Sequence, residues 1–224
     1  MGTLYIVATP IGNMGDITKR AIQTLESVDI TACEDTRRAG QLFSQLAISP
    51  VSFVRYDNHT EHTVTPELIE ALMSGKNVAL ISDAGTPLLS DPGYVLVREC
   101  RNRGISVISI PGSSAFLTAL ACSGLPIDKF VFLGYPPEKQ SHRKDLFLKL
   151  LSVRQHIHMT YILYCAPHKL LNFFSDMQTE LGNIDIVVMR ELTKVHEEYW
   201  HGSLQDALKY FVSPKGEFVI LFRT

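Results

Sequence analysis

The stretch Val78-Ala79-Leu80-Ile81-Ser82-Asp83-Ala84-Gly85-Thr86-Pro87-Leu88-Leu89-Ser90-Asp91-Pro92-Gly93 decides how this chain folds. Its first four residues form a short continuous apolar run, the pattern of a strand buried on both faces. The run ends at Ser82-Asp83, and two acids, two glycines and two prolines then crowd into one loop. Acid side chains and bare backbone at the carboxyl end of a strand are what an open α/β sheet uses to hold a small ligand. A plain link between strand and helix needs only about two to six residues, so this loop is longer than connection requires.

Working outward, the chain alternates short apolar runs with amphipathic segments. Upstream, strands are expected over 4–8, 30–33 and 51–54, and helices over 17–27 and 37–46. Asp16 is placed to cap the first helix, whose face carries Ile17, Ala21, Ile22 and Leu25. Thr65 before Pro66 reads as a cap followed by proline at the first helical position, and Gly75 closes that helix. Past the strand at 78–82, Asp91-Pro92 is expected to open a helix that closes near Gly104. Residues 105–109 are the fifth strand.

After Pro111-Gly112-Ser113-Ser114 the pattern restarts. Helices are expected over 114–122, 141–151, 167–181 and 203–211, and strands over 130–133, 161–165, 184–189 and 218–222. Ser203 and Asp206 resemble a capping box, and Tyr199-Trp200 reads as an added antiparallel strand. Alternation at this spacing means βαβ units. The expected fold class is therefore α/β in two domains. Residues 1–114 build a mainly parallel sheet, and residues 115–224 build a mixed one.

Composition bounds the function. With 46% hydrophobic and 20% charged residues, the 224-residue chain has the make-up of an ordinary globular protein. A net charge of −2 gives no global basic field, so a nucleic-acid partner would need a local basic surface. Cys33, Cys100, Cys122 and Cys165 lie far apart without a CxxC, which speaks against a zinc site or a disulfide scaffold. The start lacks the basic region of a signal peptide, and no apolar run approaches the ~18 residues of a membrane span. A cytoplasmic protein is expected.

Four loops follow strands of the first half: 9–13, Glu34-Asp35-Thr36-Arg37, the Asp83 loop, and Pro111 to Ser114. In a parallel sheet all of them open on one edge. Neither GxxxxGK[ST] nor GxGxxG occurs, so the glycines do not announce a triphosphate or a dinucleotide. They suit close approach of backbone to a neutral or cationic ligand. Asp83, directly after a buried strand, is the candidate ligand contact, and Asp91 reads as a helix cap. Glu34-Asp35-Thr36-Arg37 reads equally as a site and as an N-cap by Asp35 with a surface ion pair. Glu191 and Lys194 read as a structural ion pair. His59, His62, His168 and His196 lack HExxH spacing, and no metal site is expected. No GxSxG elbow marks a triad hydrolase.

The motifs taken together carry a resemblance. They are 4–13 with Gly15-Asp16-Ile17-Thr18, Glu34-Asp35-Thr36-Arg37, and Ser82 to Pro87 with Ser90-Asp91-Pro92-Gly93-Tyr94. Pro111-Gly112-Ser113-Ser114-Ala115, Ser123-Gly124-Leu125-Pro126, Ala166-Pro167-His168-Lys169 and Arg190-Glu191-Leu192-Thr193-Lys194 complete the set. This chain resembles, along its whole length, the ribosomal RNA small subunit methyltransferase I family of the tetrapyrrole (precorrin) methylase superfamily. The resemblance implies two α/β domains with an S-adenosylmethionine cleft between them, the first carrying the acceptor-site motifs, and a homodimer. It implies 2′-O-methylation of a cytidine in small-subunit (16S) ribosomal RNA. Carried over, the cofactor contacts are Pro10, Asp83, Thr86, Leu88, Ser113, Ser114, Cys165 and Gly216.

Three departures stand out. The histidine- and glutamate-rich stretch of the family reads here Tyr56-Asp57-Asn58-His59-Thr60-Glu61-His62. Cys165-Ala166 stands where Glu-Ser is common. Members often continue past the final Gly-Glu-Phe-Val strand, and this sequence ends at Thr224.

For transfer to a ribose hydroxyl, Glu34 and Asp35 are the base candidates with His59 as a third, and Arg37 is a phosphate clamp. Arg143, Lys144 and Lys149 read as an RNA track or as a solvated helix face. A superfamily methyltransferase acting on a tetrapyrrole or a protein side chain, or a cofactor-binding protein without catalysis, is the alternative.

Overall fold

In the computed structural model, strands β1 (Thr3–Val7), β2 (Ile30–Cys33), β3 (Ser52–Arg55), β4 (Val78–Ile81) and β5 (Ser106–Ile110) form one sheet in the order β3-β2-β4-β1-β5. Every pairing in it is parallel. The structure describes residues 1–49 and 52–223, so Val51, where the third strand was expected to begin, lies outside them. This sheet belongs to the first of two units, Met1–Ser114; the second is Ala115–Thr224.

The four-residue apolar run is explained by β4. Val78 and Leu80 face Leu68, Leu72 and Leu96 on one side. Ala79 and Ile81 face Leu25 and Phe43 on the other. A strand that alternates between two cores has no polar face to show. Helices α1 (Lys19–Ser27) and α2 (Thr36–Gln45) cover one side, and α3 (Glu61–Met73) and α4 (Tyr94–Asn102) cover the other.

Three helix starts differ from expectation. Thr18, not Asp16, caps α1, accepting from the Ala21 amide at 3.0 Å. Asp16 instead ends a 3-10 turn, Met14–Asp16. Pro66 lies inside α3 rather than at its first position. The helix starts a turn and a half earlier because Asp57 Oδ1 accepts from the His59 and Thr60 amides, both at 2.9 Å, and winds that turn. Asp91-Pro92 does not open α4. Gly93, at φ 137°, breaks the chain direction there, and the helix begins at Tyr94.

In the second unit, α5 (Ala115–Cys122) precedes a sheet of β6 (Phe130–Phe132), β7 (Thr160–Cys165), β8 (Asp185–Arg190), β9 (Glu198–Ser203) and β10 (Phe218–Arg223). The order is β6-β7-β10-β8-β9; only β6 and β7 run parallel, so the sheet is mixed. Helices α6 (Gln140–Arg154), α7 (Leu170–Leu181) and α8 (Leu204–Tyr210) bury one face through Phe147, Phe173, Phe174 and Ala207. On the other face α5 packs against β7 and β10. Phe218 sits in register with both Cys165 and Arg190, so the ends of β7 and β8 and the start of β10 share one edge. Among the described residues no helix is long and apolar enough to cross a membrane.

Candidate active site

At the carboxyl edge of the first sheet, three loops are tied to one another. The Thr9 amide donates to Gly85 O at 2.9 Å, and the Gly85 amide returns a bond to Thr9 O at 3.1 Å. Thr86 Oγ1 donates to Ser113 O at 3.0 Å. Two glycines permit this closeness. A Cβ on Gly85 would stand 3.2 Å from Ile11 Cγ2, at a φ of +85°, and one on Gly112 would stand 3.0 Å from the Ala8 methyl. The loops after β1, β4 and β5 are thereby locked side by side, which brings Pro10, Thr86 and Ser113 together. Ser114 is buried at the end of this unit. Leu88 has a left-handed φ of 72° and turns its side chain into the core beside Leu80 and Gly93. Ser90 repeats the left-handed geometry at φ 73°. Such strain in non-glycine residues costs on the order of 1–3 kcal/mol each and clusters at functional loops.

Acids gather over the neighbouring strands. Glu34 and Asp35 follow β2, Asp57 follows β3, and Asp83 and Asp91 follow β4. Asp35 is the N-cap of α2. It accepts from the Arg37 amide at 2.8 Å and takes the Arg37 guanidinium at Nε 3.0 Å and Nη2 2.7 Å. Those bonds hold its carboxyl far below the usual carboxylate range. Asp83 pairs with Arg38 at 3.1 Å, and its amide reaches Glu34 Oε1 at 3.4 Å. Burial, then Asp91 and Asp83, push Glu34 up to about 7. Burial also raises Asp91 to about 6, against a hydrogen bond from Ser82. Asp91, expected as a cap, is thus a half-buried member of the acid group.

The second unit presents its own edge. Cys165 is buried, with its thiol in the core and pushed up to about 12 by desolvation. Only its backbone can meet a ligand. Gly216, at φ 94°, lies under Glu191: a Cβ there would come within 2.6 Å of Glu191 Cγ. Glu191 Oε1 takes Lys194 Nζ at 2.9 Å and the Glu217 amide at 2.9 Å, and Lys194 also reaches Glu217 at 3.0 Å. Glu191 and Thr193 are both left-handed, at φ 51° and 66°. The expected ion pair is therefore the clasp of a strained turn. The basic residues of α6 divide. Arg143 is spent on Asp176 at 2.6 Å with its side chain 13% exposed, and Lys144 faces Glu180 at 3.5 Å. Lys149 is exposed.

A family model described as Tetrapyrrole (Corrin/Porphyrin) Methylases matches residues 3–208. A Synechocystis sp. protein named ribosomal RNA small subunit methyltransferase I is 48% identical over 99% of this chain and 78% of its own length. One of the same name from Vibrio cholerae is 44% identical over 97% of this chain and 76% of its own. The chain belongs to the ribosomal RNA small subunit methyltransferase I family of tetrapyrrole methylases. It is a methyltransferase. The crystal structure of the methyltransferase CobJ shares its fold, with a TM-score of 0.70 at 16% identity, covering 99% of this chain and 94% of that one. Within this family frame, Asp91 is the acid that sequence reasoning misplaced. Its signal was the Asp-Pro-Gly order, since glycine directly after proline favours a left-handed turn over a helix start.

Proposed function

We propose that this chain transfers a methyl group from S-adenosylmethionine to the 2′-hydroxyl of a cytidine in small-subunit (16S) ribosomal RNA, acting as a homodimer in the cytoplasm. The observation that carries the reading is identity along nearly the whole chain with relatives named for that RNA.

The residues present fit the cofactor. Bare backbone at Gly85 and Gly112 lets the loops after β1, β4 and β5 close on a flat nucleoside, and Asp83 is an acceptor for ribose hydroxyls or an amino group. Pro10, Thr86, Leu88, Ser113 and Ser114 line those loops, and Cys165 and Gly216 are candidates through backbone. When bound, S-adenosylmethionine supplies an electrophilic methyl on a sulfonium whose positive charge disappears on transfer. An acid against the sulfur would oppose that loss, so the acids belong at the ribose or at the acceptor. Alignment of the acceptor oxygen supplies most of the rate.

A ribose hydroxyl is a weak nucleophile, and Glu34 is the base assigned to it. A carboxyl titrating near 7 accepts a proton at working pH better than one held far lower. Asp35 is committed to Arg37 and to the start of α2, which leaves Glu34 to take the proton. The test supplies radiolabelled S-adenosylmethionine and unmethylated small ribosomal subunits to the purified chain. Label recovered as 2′-O-methylcytidine is the expected result. Label on a base, or none in RNA, would reject the assignment.

A further inference from the structure

Arg143, read from sequence as part of an RNA track or of a solvated helix face, is placed otherwise by the structure. Its guanidinium donates to Pro137 O at 3.0 Å and to Glu138 O, while Asp176 holds its other edge. The segment it grips, Gly134-Tyr135-Pro136-Pro137-Glu138, links β6 to α6. The other end is fixed by the Tyr164 amide, which donates to Gly134 O at 2.9 Å. Two prolines stiffen the middle, and Pro136 is buried as an anchor. Lys169 neutralises Glu138 at 2.6 Å. The loop is rigid without being covered: Tyr135 is 60% exposed.

Behind Tyr135 stands a ladder of rings. Tyr135 meets Tyr164 edge-on at 5.6 Å, Tyr164 meets Phe132 at 4.9 Å, and Phe132 stacks on Phe116 at 4.6 Å. The Phe116 amide donates to the Tyr164 hydroxyl at 3.3 Å and fixes that ring. Four residues after Tyr135, the exposed Lys139 is the N-cap of α6, and no side chain caps that helix. A helix dipole without a side-chain cap favours an anion there. A large exposed ring held on a stiff loop beside a basic, anion-seeking helix start is the equipment single-stranded nucleic acid needs: a face for a base and a partner for its phosphate.

We propose that Tyr135 is a stacking platform for a base of the RNA strand that carries the acceptor, with Lys139 and the start of α6 taking the adjoining phosphate. The proposal rests on the RNA reading above. It moves the RNA contact from the flank of α6, where Arg143 and Lys144 are paired, to the loop that Arg143 supports.

Tyr135→Ala, Tyr135→Trp and the parent chain are compared in methyl transfer to small ribosomal subunits. Loss of one base stack predicts a KM for the subunit raised about 5- to 150-fold in Tyr135→Ala. The kcat and the calorimetric affinity for S-adenosylmethionine stay unchanged, and Tyr135→Trp restores KM. An unchanged KM overturns the proposal. So does parallel loss of S-adenosylmethionine binding, which would make the ring part of the cofactor site. So does conversion to a smaller species in sedimentation, which would make it a contact between copies of this chain. Should the parent chain transfer no methyl to subunits, the functional reading fails on its own. The platform is then judged by titrating a fluorescein-labelled single-stranded oligoribonucleotide. Weaker binding by Tyr135→Ala sustains it, and equal binding overturns it.

Discussion

Replacing Glu34 by Gln should remove activity and add stability, a combination that a merely structural residue cannot produce. Glu34 is half-buried at the end of β2, and burial, Asp91 and Asp83 raise its carboxyl from 4.5 to about 7. The folded protein therefore holds that proton more tightly than the unfolded chain does. Between those values the unfolded state has already released the proton and the folded state has not. Stability from this group thus falls as pH rises from 4.5 towards 7 and stays low above it. At about 1.4 kcal/mol per tenfold difference in proton affinity, the full cost of ionising Glu34 in place is roughly 3 kcal/mol. Solvent reaches about half of the group, and screening reduces the figure to roughly 1 kcal/mol. Gln keeps the shape and never ionises.

The Glu34→Gln variant should match the parent in thermal melting near pH 5 and exceed it at pH 8 by roughly 2–4 °C. Methyl transfer should fall by about 10²–10⁴-fold, the usual contribution of a positioned base. The parent rate should rise through pH 7 as the carboxylate forms, and the residual rate of the variant should lose that rise. A variant that methylates at the parental rate with the same rise near pH 7 would refute the base assignment. A variant that melts below the parent at pH 8 would refute the electrostatic reasoning beneath it.

Asp83→Ala removes the proposed cofactor acceptor, which forms an exposed ion pair with Arg38 at 3.1 Å. Melting should hardly move, while affinity for S-adenosylmethionine falls about tenfold or more by calorimetry; parental affinity would sink the contact. Gly216→Ala drives a Cβ to 2.6 Å from Glu191 at a φ of +94°, and urea unfolding should show a loss of about 1–3 kcal/mol. In an Glu191→Ala background the loss should shrink, and equal losses in both backgrounds would remove the packing explanation. Arg143→Met strips two carbonyls of a partner and leaves Asp176 its bond from Gln140 but no cation, costing about 3 kcal/mol, and the double change Arg143→Met with Asp176→Leu should recover part of it. Lys149→Ala, at an exposed position, should change stability by less than about 0.5 kcal/mol.

The elements that read correctly from sequence are those that local rules decide. The β4 run between two cores, Asp35 as the cap of α2, and Ser203 accepting from Asp206 as the cap of α8 all depend on residues a few positions apart. What did not read correctly depends on distant partners or on reversed backbone. Arg143 read as an RNA track or a solvated face, and its burial against Asp176, 33 positions on, cannot be seen from the helix pattern. Asp91 looked like a cap because Asp-Pro opens many helices, yet Gly93 turns the chain first. Glu191 and Lys194 read correctly as an ion pair, but their spacing did not show the two left-handed residues that make a turn of it.

The acid group follows from the same division between local and distant. From sequence alone the Glu34–Arg37 loop reads equally as a site and as a cap with an ion pair, and local spacing does not choose between them. The parallel sheet changes that, because every strand delivers its carboxyl end to one edge. With the order β3-β2-β4, Asp57, Glu34, Asp83 and Asp91 arrive over three adjacent strands. Arginine takes up three of the nearby carboxylates: Arg55 pairs with Asp57, Arg37 with Asp35 and Arg38 with Asp83. Glu34 and Asp91 are the two whose proton affinity the site raises, and like charges so close cannot all be ionised at once. Of these two, Glu34 stands at the strand end beside the Arg37 helix start. A proton acceptor poised near neutrality is thus a product of topology, and it exists only once β2 and β4 are neighbours.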